Sequence, residues 1–288
     1  MSEEPAIGSF PGLDGLPGLQ SVRDQLADVL AVIRAEQARA AAGAVVTRRV
    51  WKNLVFTGGP GSGKSRAAAA VARAYRGLGV LSSGHLIEIA SAGLPAQDLQ
   101  RTGTVVREAA SRGRGGVLMI TGAHGYAGLR HRDHLVLRSL HEMLTEFRDD
   151  LAVILAGQAG PLHKVLQSSP SLASQFPAVI DFPGYSTGQL AAIFTVLARE
   201  AGFTLTPDAA RLVARVLSRP AQAPGCGNAR LAVRLLDQAI ARQARRITGA
   251  THPPTDDELC TLRGDDIAGL PATEPANPAD DRPPGQYL

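Results

Sequence analysis

Residues 56–65, FTGGPGSGKS, carry the densest chemistry in the chain. Gly58, Gly59, Pro60, Gly61, Ser62, Gly63, Lys64 and Ser65 follow the pattern GxxxxGK[ST], whose task is to grip nucleotide phosphates. The glycines let the backbone wrap a phosphate with its N–H groups pointing inward. A helix starting at the loop adds partial positive charge. Lys64 has the reach to meet the β- and γ-phosphates of ATP, and the Ser65 hydroxyl is a ligand for Mg²⁺. The expected cofactors are ATP or ADP with Mg²⁺.

Hydrolysis asks for more. A phosphate-loop ATPase normally holds Mg²⁺ with an acid at the end of a buried strand. In ATPases of this broad type a Glu often follows, to polarise the attacking water. The strand that should carry the pair is VLMI, and Thr121 and Gly122 follow it. Threonine offers a neutral hydroxyl and glycine offers nothing. Other acids are poorly placed by sequence. Asp181 follows AVI in a strand shortened by Pro177, Glu88 sits inside a strand rather than at its tip, and Asp149 and Asp150 precede LAVIL and so fall at the opposite edge of the sheet. A general base contributes about 10²–10⁴ in rate, so the expectation is nucleotide binding without fast hydrolysis, and no catalytic residue is assigned.

Four histidines, His124, His131, His134 and His141, lie within 18 residues. HEMLT at 141 opens like a zinc-protease motif but lacks the second His, and no Cys or acid stands at ligand spacing. They read as surface or core histidines rather than as a metal site or a catalytic base.

The elements that must position the loop follow from periodicity. NLVFTGG, HLIEIA, GVLMITG, LAVILAG and AVIDFPG are short apolar strands. They alternate with helical stretches such as KSRAAAAVARAYRGLG, closed by Gly77 and Gly79, and HLVLRSLHEMLTEF, with Val136, Leu140, Met143, Leu144 and Phe147 on one face. The pattern is α/β, with a parallel five-stranded sheet covered on both faces. An earlier helix carries Val22, Leu26, Val29, Leu30 and Ile33, with Ser21 as cap and Asp24 in a capping-box arrangement. After Gly184 the strands stop and three helices follow, one capped by Thr206 with Pro207 at its first position. The expected organisation is an irregular segment at 1–20, an α/β nucleotide-binding domain at 21–185, a helical lid at 186–250 and a Pro-rich acidic tail at 251–288. The tail reads as mostly disordered, with DELCTLRGDDIAGL able to dock as one short element.

Bulk properties narrow the partners. The composition is globular, 44% hydrophobic and 19% charged, with only 4% aromatics. Residues 251–288 hold eight acids and two bases, so a total of +4 leaves +10 on the rest of the chain. No basic stripe is interleaved with aromatics, which speaks against a nucleic-acid groove. Cys226 and Cys260 lack zinc or disulfide spacing and fit a reducing compartment. No signal peptide is read at MSEEPAIGSF, and no apolar run approaches the roughly 20 residues that span a bilayer. A cytoplasmic protein with no membrane partner is expected.

With these parts placed, the chain resembles the AAA+ ATPases of the CbbX, SpoVK and EccA type. The resemblance runs from about Leu13 to about Gly249 through LDGLPGLQSVRDQL, GHLIEI, GGVLMI, RDDLAVILAG, VIDFPGY and GNARLAVR, in order. It implies an AAA+ module, a helical lid from near Thr187, and a ring, usually a hexamer, that remodels a client protein. It also implies that Leu13 onward helps wrap the adenine and that Arg230 is the lid arginine that senses the γ-phosphate. Three departures stand out. Thr121 and Gly122 replace the family's Asp-Glu, Ala173 and Gln175 fall where its arginine fingers would lie, and Asp98-Leu99-Gln100 replaces its aromatic-Gly pore loop. A finger alone is worth about 10³–10⁵ in kcat. The expectation is therefore an ATP-binding, hydrolysis-impaired structural or regulatory subunit of a homo- or hetero-oligomeric ring, beside an active AAA+ paralogue. The alternatives are a working remodelling ATPase, with Arg130, Arg132 and Arg138 as substitute arginines, and a phosphate-loop kinase or nucleotide switch.

Overall fold

Five runs of Leu, Ile, Val and Ala form the sheet of the first unit: β1 Leu54–Gly58, β2 Leu86–Ala90, β3 Val117–Thr121, β4 Ala152–Gly157 and β5 Ala178–Phe182. The computed structural model describes residues 10, 12–44, 52–91, 99–123, 133–218, 228–249 and 253–270. All neighbours in the sheet are parallel, in the order β2-β3-β4-β1-β5. Parallel strands need crossovers, and α2 Lys64–Gly77, α3 Leu99–Arg112, α4 Asp133–Glu146 and the pair α5 Ala159–Ser168 and α6 Pro170–Ala173 supply them, while α1 Gln20–Ala41 precedes β1. The α/β expectation holds, and α5 and α6 are additions the periodicity did not single out.

Side-chain alternation divides the sheet into two faces. Val55, Leu118, Ile120, Val153 and Leu155 pack in one cluster with Leu140, Met143, Leu144 and Phe147 of α4, as the helical spacing predicts; Val136 lies outside the described side chains. Leu54, Phe56, Met119 and Ile154 alternate onto the other face and are fully buried, as are Ala67, Ala68, Val71 and Tyr75 of α2. This places the N-terminal turn of α2 directly after the β1 tip. Gly79, at φ +67, turns the chain out of α2 through a bond from its N–H to Arg76 O, as expected of a glycine stop.

The start of α1 corrects one expectation. Leu19, not Ser21, is the N-cap, and no side chain caps the helix. Asp24 Oδ1 accepts from Gln20 Nε2 at 2.8 Å, and Ser21 Oγ accepts from Gln25 Nε2 at 3.2 Å. Leu19 is 1% exposed, and Phe10 and Leu13 before it are fully buried. Burying one such side chain contributes about 1.5–3 kcal/mol against about 1 for a cap, so apolar anchoring sets where the helix begins.

The second compact unit holds the described residues from Gly184 onward, together with Leu16–Gly18 and Gly59–Ser62. Its helices are α7 Thr187–Glu200, α8 Pro207–Leu217, α9 Asn228–Thr248, α10 Asp256–Cys260 and α11 Gly264–Ile267. Thr206 caps α8 with Pro207 in its first turn, as expected, and Ser186 and Gln189 form a capping box on α7 that the sequence reading did not single out. Beyond residue 250 the stretch DELCTLRGDDIAGL is seated as three short pieces rather than one. α10, β7 Thr261–Leu262 and α11 run to Leu270, β7 pairs in parallel with β6 Thr204–Leu205, and Leu262, Ile267 and Leu270 enter the unit's core. Among the described residues no helix is long and apolar enough to cross a membrane.

Candidate nucleotide site

The phosphate loop joins β1 to α2. Gly58 ends β1, Gly59 to Gly63 make the turn, and Lys64 and Ser65 open α2. Gly61 at φ +69 and Gly63 at φ +98 hold a backbone that residues with a Cβ seldom adopt. Lys64 Nζ donates to Gly58 O at 2.9 Å, so the ammonium folds back along the loop.

Within the second unit, three consecutive loop carbonyls have partners. Asn228 Nδ2 donates to Pro60 O at 3.0 Å, Ala229 N to Gly61 O at 3.1 Å, and the Tyr185 hydroxyl to Ser62 O at 3.0 Å. In a trans peptide the N–H points opposite to the C=O. The N–H groups of Gly61, Ser62 and Gly63 therefore face the other side of the turn, where N–H groups must lie to cradle an anion. Glycines at the turning positions, a helix N-terminus and a lysine along the loop fit a nucleotide phosphate with its Mg²⁺.

Asn228 and Tyr185 were not among the residues the sequence singled out. Asn228 has φ +47, the one described non-glycine residue with positive φ, and its Oδ1 also accepts from Tyr185 N at 3.2 Å. The signal for it was Asn at the head of a helix, next to the resemblance-derived Arg230. Arg230 itself is exposed in the first turn of α9, two residues after Asn228.

At the tip of β3 the Thr121 hydroxyl donates to Ile89 O at 3.4 Å. Gly122 has φ +68, and its carbonyl accepts from Ser91 Oγ at 2.6 Å. Asp181 is turned to β1, accepting from Thr57 Oγ1 at 2.8 Å. Asp149 and Asp150 precede β4, at the edge opposite the loop, as expected.

Glu88 departs from expectation. Although it lies inside β2, its carboxylate oxygen accepts from Ser65 Oγ at 3.2 Å. Glu88 keeps much of its surface in solvent, but partial loss of water around the carboxyl pushes its pKa up, and the Ser65 bond pulls it back in part. Reading Glu88 by its distance from the strand tip missed it. α2 crosses the sheet towards β3 and β2, and a crossing helix can meet a residue in mid-strand.

The remaining candidates separate. Arg138 pairs with Glu142 at 2.8 Å on the exposed side of α4, while Arg130 and Arg132 lie outside the described residues. So do His124, His131 and Asp98; His141 Nδ1 is buried without a hydrogen-bond partner. Among the described residues no three His, Cys, Asp or Glu side chains group as a metal site. Ala173 ends α6, and Gln175 follows it.

Comparison with known proteins agrees with this geometry. A family model described as an AAA lid domain matches residues 186–279. Over 256 residues the chain is 32% identical to Protein CbbX of Cereibacter sphaeroides, covering 88% of this chain and 82% of that protein. It is 29% identical to the chloroplastic ribulose bisphosphate carboxylase/oxygenase activase of Cyanidioschyzon merolae, over 88% and 87% of the two chains. The RuvB Holliday junction branch migration motor of Thermotoga maritima matches in fold, with a TM-score of 0.55 at 17% identity, covering 89% of this chain and 69% of that one. Sheet order, phosphate loop, lid and these relatives agree: the chain belongs to the CbbX family of AAA+ ATPases.

Proposed function

We propose that this chain is a nucleotide-holding AAA+ subunit that hydrolyses ATP slowly or not at all and serves a ring-shaped remodelling complex as a structural or regulatory member. The observation that carries the reading is the β3 tip, where a hydroxyl bonded to Ile89 O and a side-chain-free Gly122 stand in place of two acids. The loop N–H groups and Lys64 would hold the phosphates of ATP or ADP, Ser65 would ligate Mg²⁺, and Arg230 would reach the γ-phosphate from the lid. Mg²⁺ held there would neutralise charge between the phosphates. The ring would be homo- or hetero-oligomeric. In a mixed ring with an active AAA+ paralogue this chain, without an arginine between 165 and 198, would offer no finger to its neighbour. A cytoplasmic setting belongs to the same reading and rests on cysteine usage.

A second reading, a working ATPase that remodels a client, is favoured by one observation: a carboxylate, Glu88, does reach Ser65. The lid domain speaks against the kinase or nucleotide-switch alternative. ATP affinity with and without Mg²⁺, and steady-state turnover, each beside Lys64→Ala, test the proposal. Binding that Lys64→Ala abolishes, with turnover no higher than that variant's, is the expected result. Lys64-dependent turnover near 1 s⁻¹, at the low end of the roughly 1–10³ s⁻¹ typical of enzymes, would select the second reading.

A further inference from the structure

We infer that Glu88 on β2 supplies the metal-side carboxylate that the β3 tip lacks, orienting the Ser65 hydroxyl and holding the water shell of the Mg²⁺ that Ser65 ligates. The inference rests on the nucleotide reading above, and it concerns metal holding rather than hydrolysis.

The register puts Glu88 in a suitable place. Glu88 stands opposite Met119, and Ala90 stands opposite Thr121. Ile87 and Ile89 pack into the cluster that contains Leu118 and Ile120, so Glu88, Met119 and Thr121 alternate onto the opposite face, the one that carries α2. Glu88 therefore shares a sheet face with the position that would normally hold the acid, one strand over and one pleat earlier. Its side chain is one methylene longer than aspartate, and the carboxylate ends 3.2 Å from Ser65 Oγ.

The chemistry of Ser65 gives this contact its meaning. A serine hydroxyl has one proton and two lone pairs. With the proton donated to Glu88, the lone pairs are left to face a cation. Mg²⁺ keeps several waters and is bound through one or two carboxylates plus substrate phosphates. An acid bonded to a metal ligand is placed to accept from those waters, and its charge offsets a neighbourhood made positive by Lys64 and the α2 N-terminus. The rival acids are committed elsewhere, Asp181 to Thr57 at 2.8 Å and Asp149 and Asp150 at the far edge of the sheet. The residue that would present a second, water-polarising acid is Gly122. Metal holding can thus persist where hydrolysis is impaired.

The test uses the full chain, Mn²⁺ as the probe and ADP as the nucleotide, so that turnover plays no part. Free Mn²⁺ is counted by electron paramagnetic resonance, and ADP affinity in EDTA is measured by calorimetry. Loss of an outer-shell partner typically weakens metal affinity about 10–100-fold. Glu88→Gln is expected to lower the Mn²⁺ affinity of the ADP complex about tenfold or more, to leave ADP affinity in EDTA unchanged, and to be partly rescued by Thr121→Asp. Should Glu88→Gln not fold, Glu88→Asp, with its carboxylate drawn back by one methylene, is expected to weaken Mn²⁺ binding by more than about twofold and to leave ADP affinity in EDTA unchanged. Mn²⁺ affinity within about twofold of the parent in the folded variant would overturn the inference. If the parent chain binds no ADP under any condition, the nucleotide reading falls and this inference falls with it. If the parent turns ATP over rapidly, only the impaired-hydrolysis reading falls, and the ADP–Mn²⁺ comparison still decides the role of Glu88.

Discussion

Asn228 Nδ2 donates to the carbonyl of Pro60, 3.0 Å away and 168 residues earlier in the chain, while its Oδ1 accepts from Tyr185 N at 3.2 Å. The residue must donate, accept and tolerate a φ of +47 at once. Asparagine meets all three demands, because its amide carries both functions and it enters the left-handed region more readily than other side chains. Asn228→Ala should destabilise the protein by about 1–3 kcal/mol, since two partners lose their bond and alanine enters the left-handed region less readily than asparagine. Urea denaturation measures this. Asn228→Asp keeps the acceptor for Tyr185 but turns an oxygen towards the Pro60 carbonyl. It should therefore weaken nucleotide binding more than Asn228→Gly does, and equal affinities in the two variants would mean that the Pro60 contact does not shape the loop.

Restoring the missing acids should succeed at one position of the β3 tip and fail at the other. Thr121 gives up only a 3.4 Å bond to Ile89 O, so Thr121→Asp should fold normally. Gly122 is different. Its φ of +68 costs an L side chain about 1–2 kcal/mol, and a Cβ there would stand 2.9 Å from Ser91 Oγ. Thr121→Asp with Gly122→Glu should lower the unfolding temperature and fall short of ordinary turnover. Adding Ser91→Ala should relieve the crowding and leave the backbone cost in place. A fully stable double variant turning over at about 1 s⁻¹ would show that side-chain identity alone separates this tip from an active one.

Much of the frame was legible because its signals are local. Strands β1 to β5 are short apolar runs, the α8 cap is Thr206 before Pro207, and the phosphate loop is a contiguous eight-residue pattern. What escaped depends on residues far apart in sequence. Ser65 and Glu88 are 23 residues apart, and their meeting follows from how α2 crosses the sheet, which no periodicity encodes. Asn228 meets Pro60 through the fold of a unit whose segments are scattered along the chain. Composition alone also says little of how residues 253–270 are seated. Acidic, Pro-rich sequence suggests solvation, yet Leu262, Ile267 and Leu270 enter the core of the second unit.

The fastening of that stretch gives the last prediction. Asp266 is 2% exposed and takes two bonds from Arg246, Nε to Oδ1 and Nη2 to Oδ2, each 3.0 Å. Its Oδ2 also accepts from Arg263 N at 2.8 Å, and Arg246 Nη2 donates to Thr261 O at 3.3 Å. The pair thus ties α9 to both β7 and α11. Removing one partner of a buried ion pair leaves the other uncompensated, at a cost of about 3–5 kcal/mol. Arg246 keeps 24% of its side chain in solvent, so the lower end is expected for Asp266→Ala, about 3 kcal/mol by urea denaturation. Asp266→Asn retains an acceptor and should lose less. Ending the chain at residue 252 removes the pair together with Leu262, Ile267 and Leu270. It should bare the apolar surfaces of α8 and α9, seen as increased binding of a hydrophobic dye. Because the carboxylate is enclosed, raising the salt to about 1 M should change the effect of Asp266→Ala little. A loss below about 1 kcal/mol, or one that salt erases, would place the pair with ordinary surface bridges and leave the apolar residues as what holds the segment.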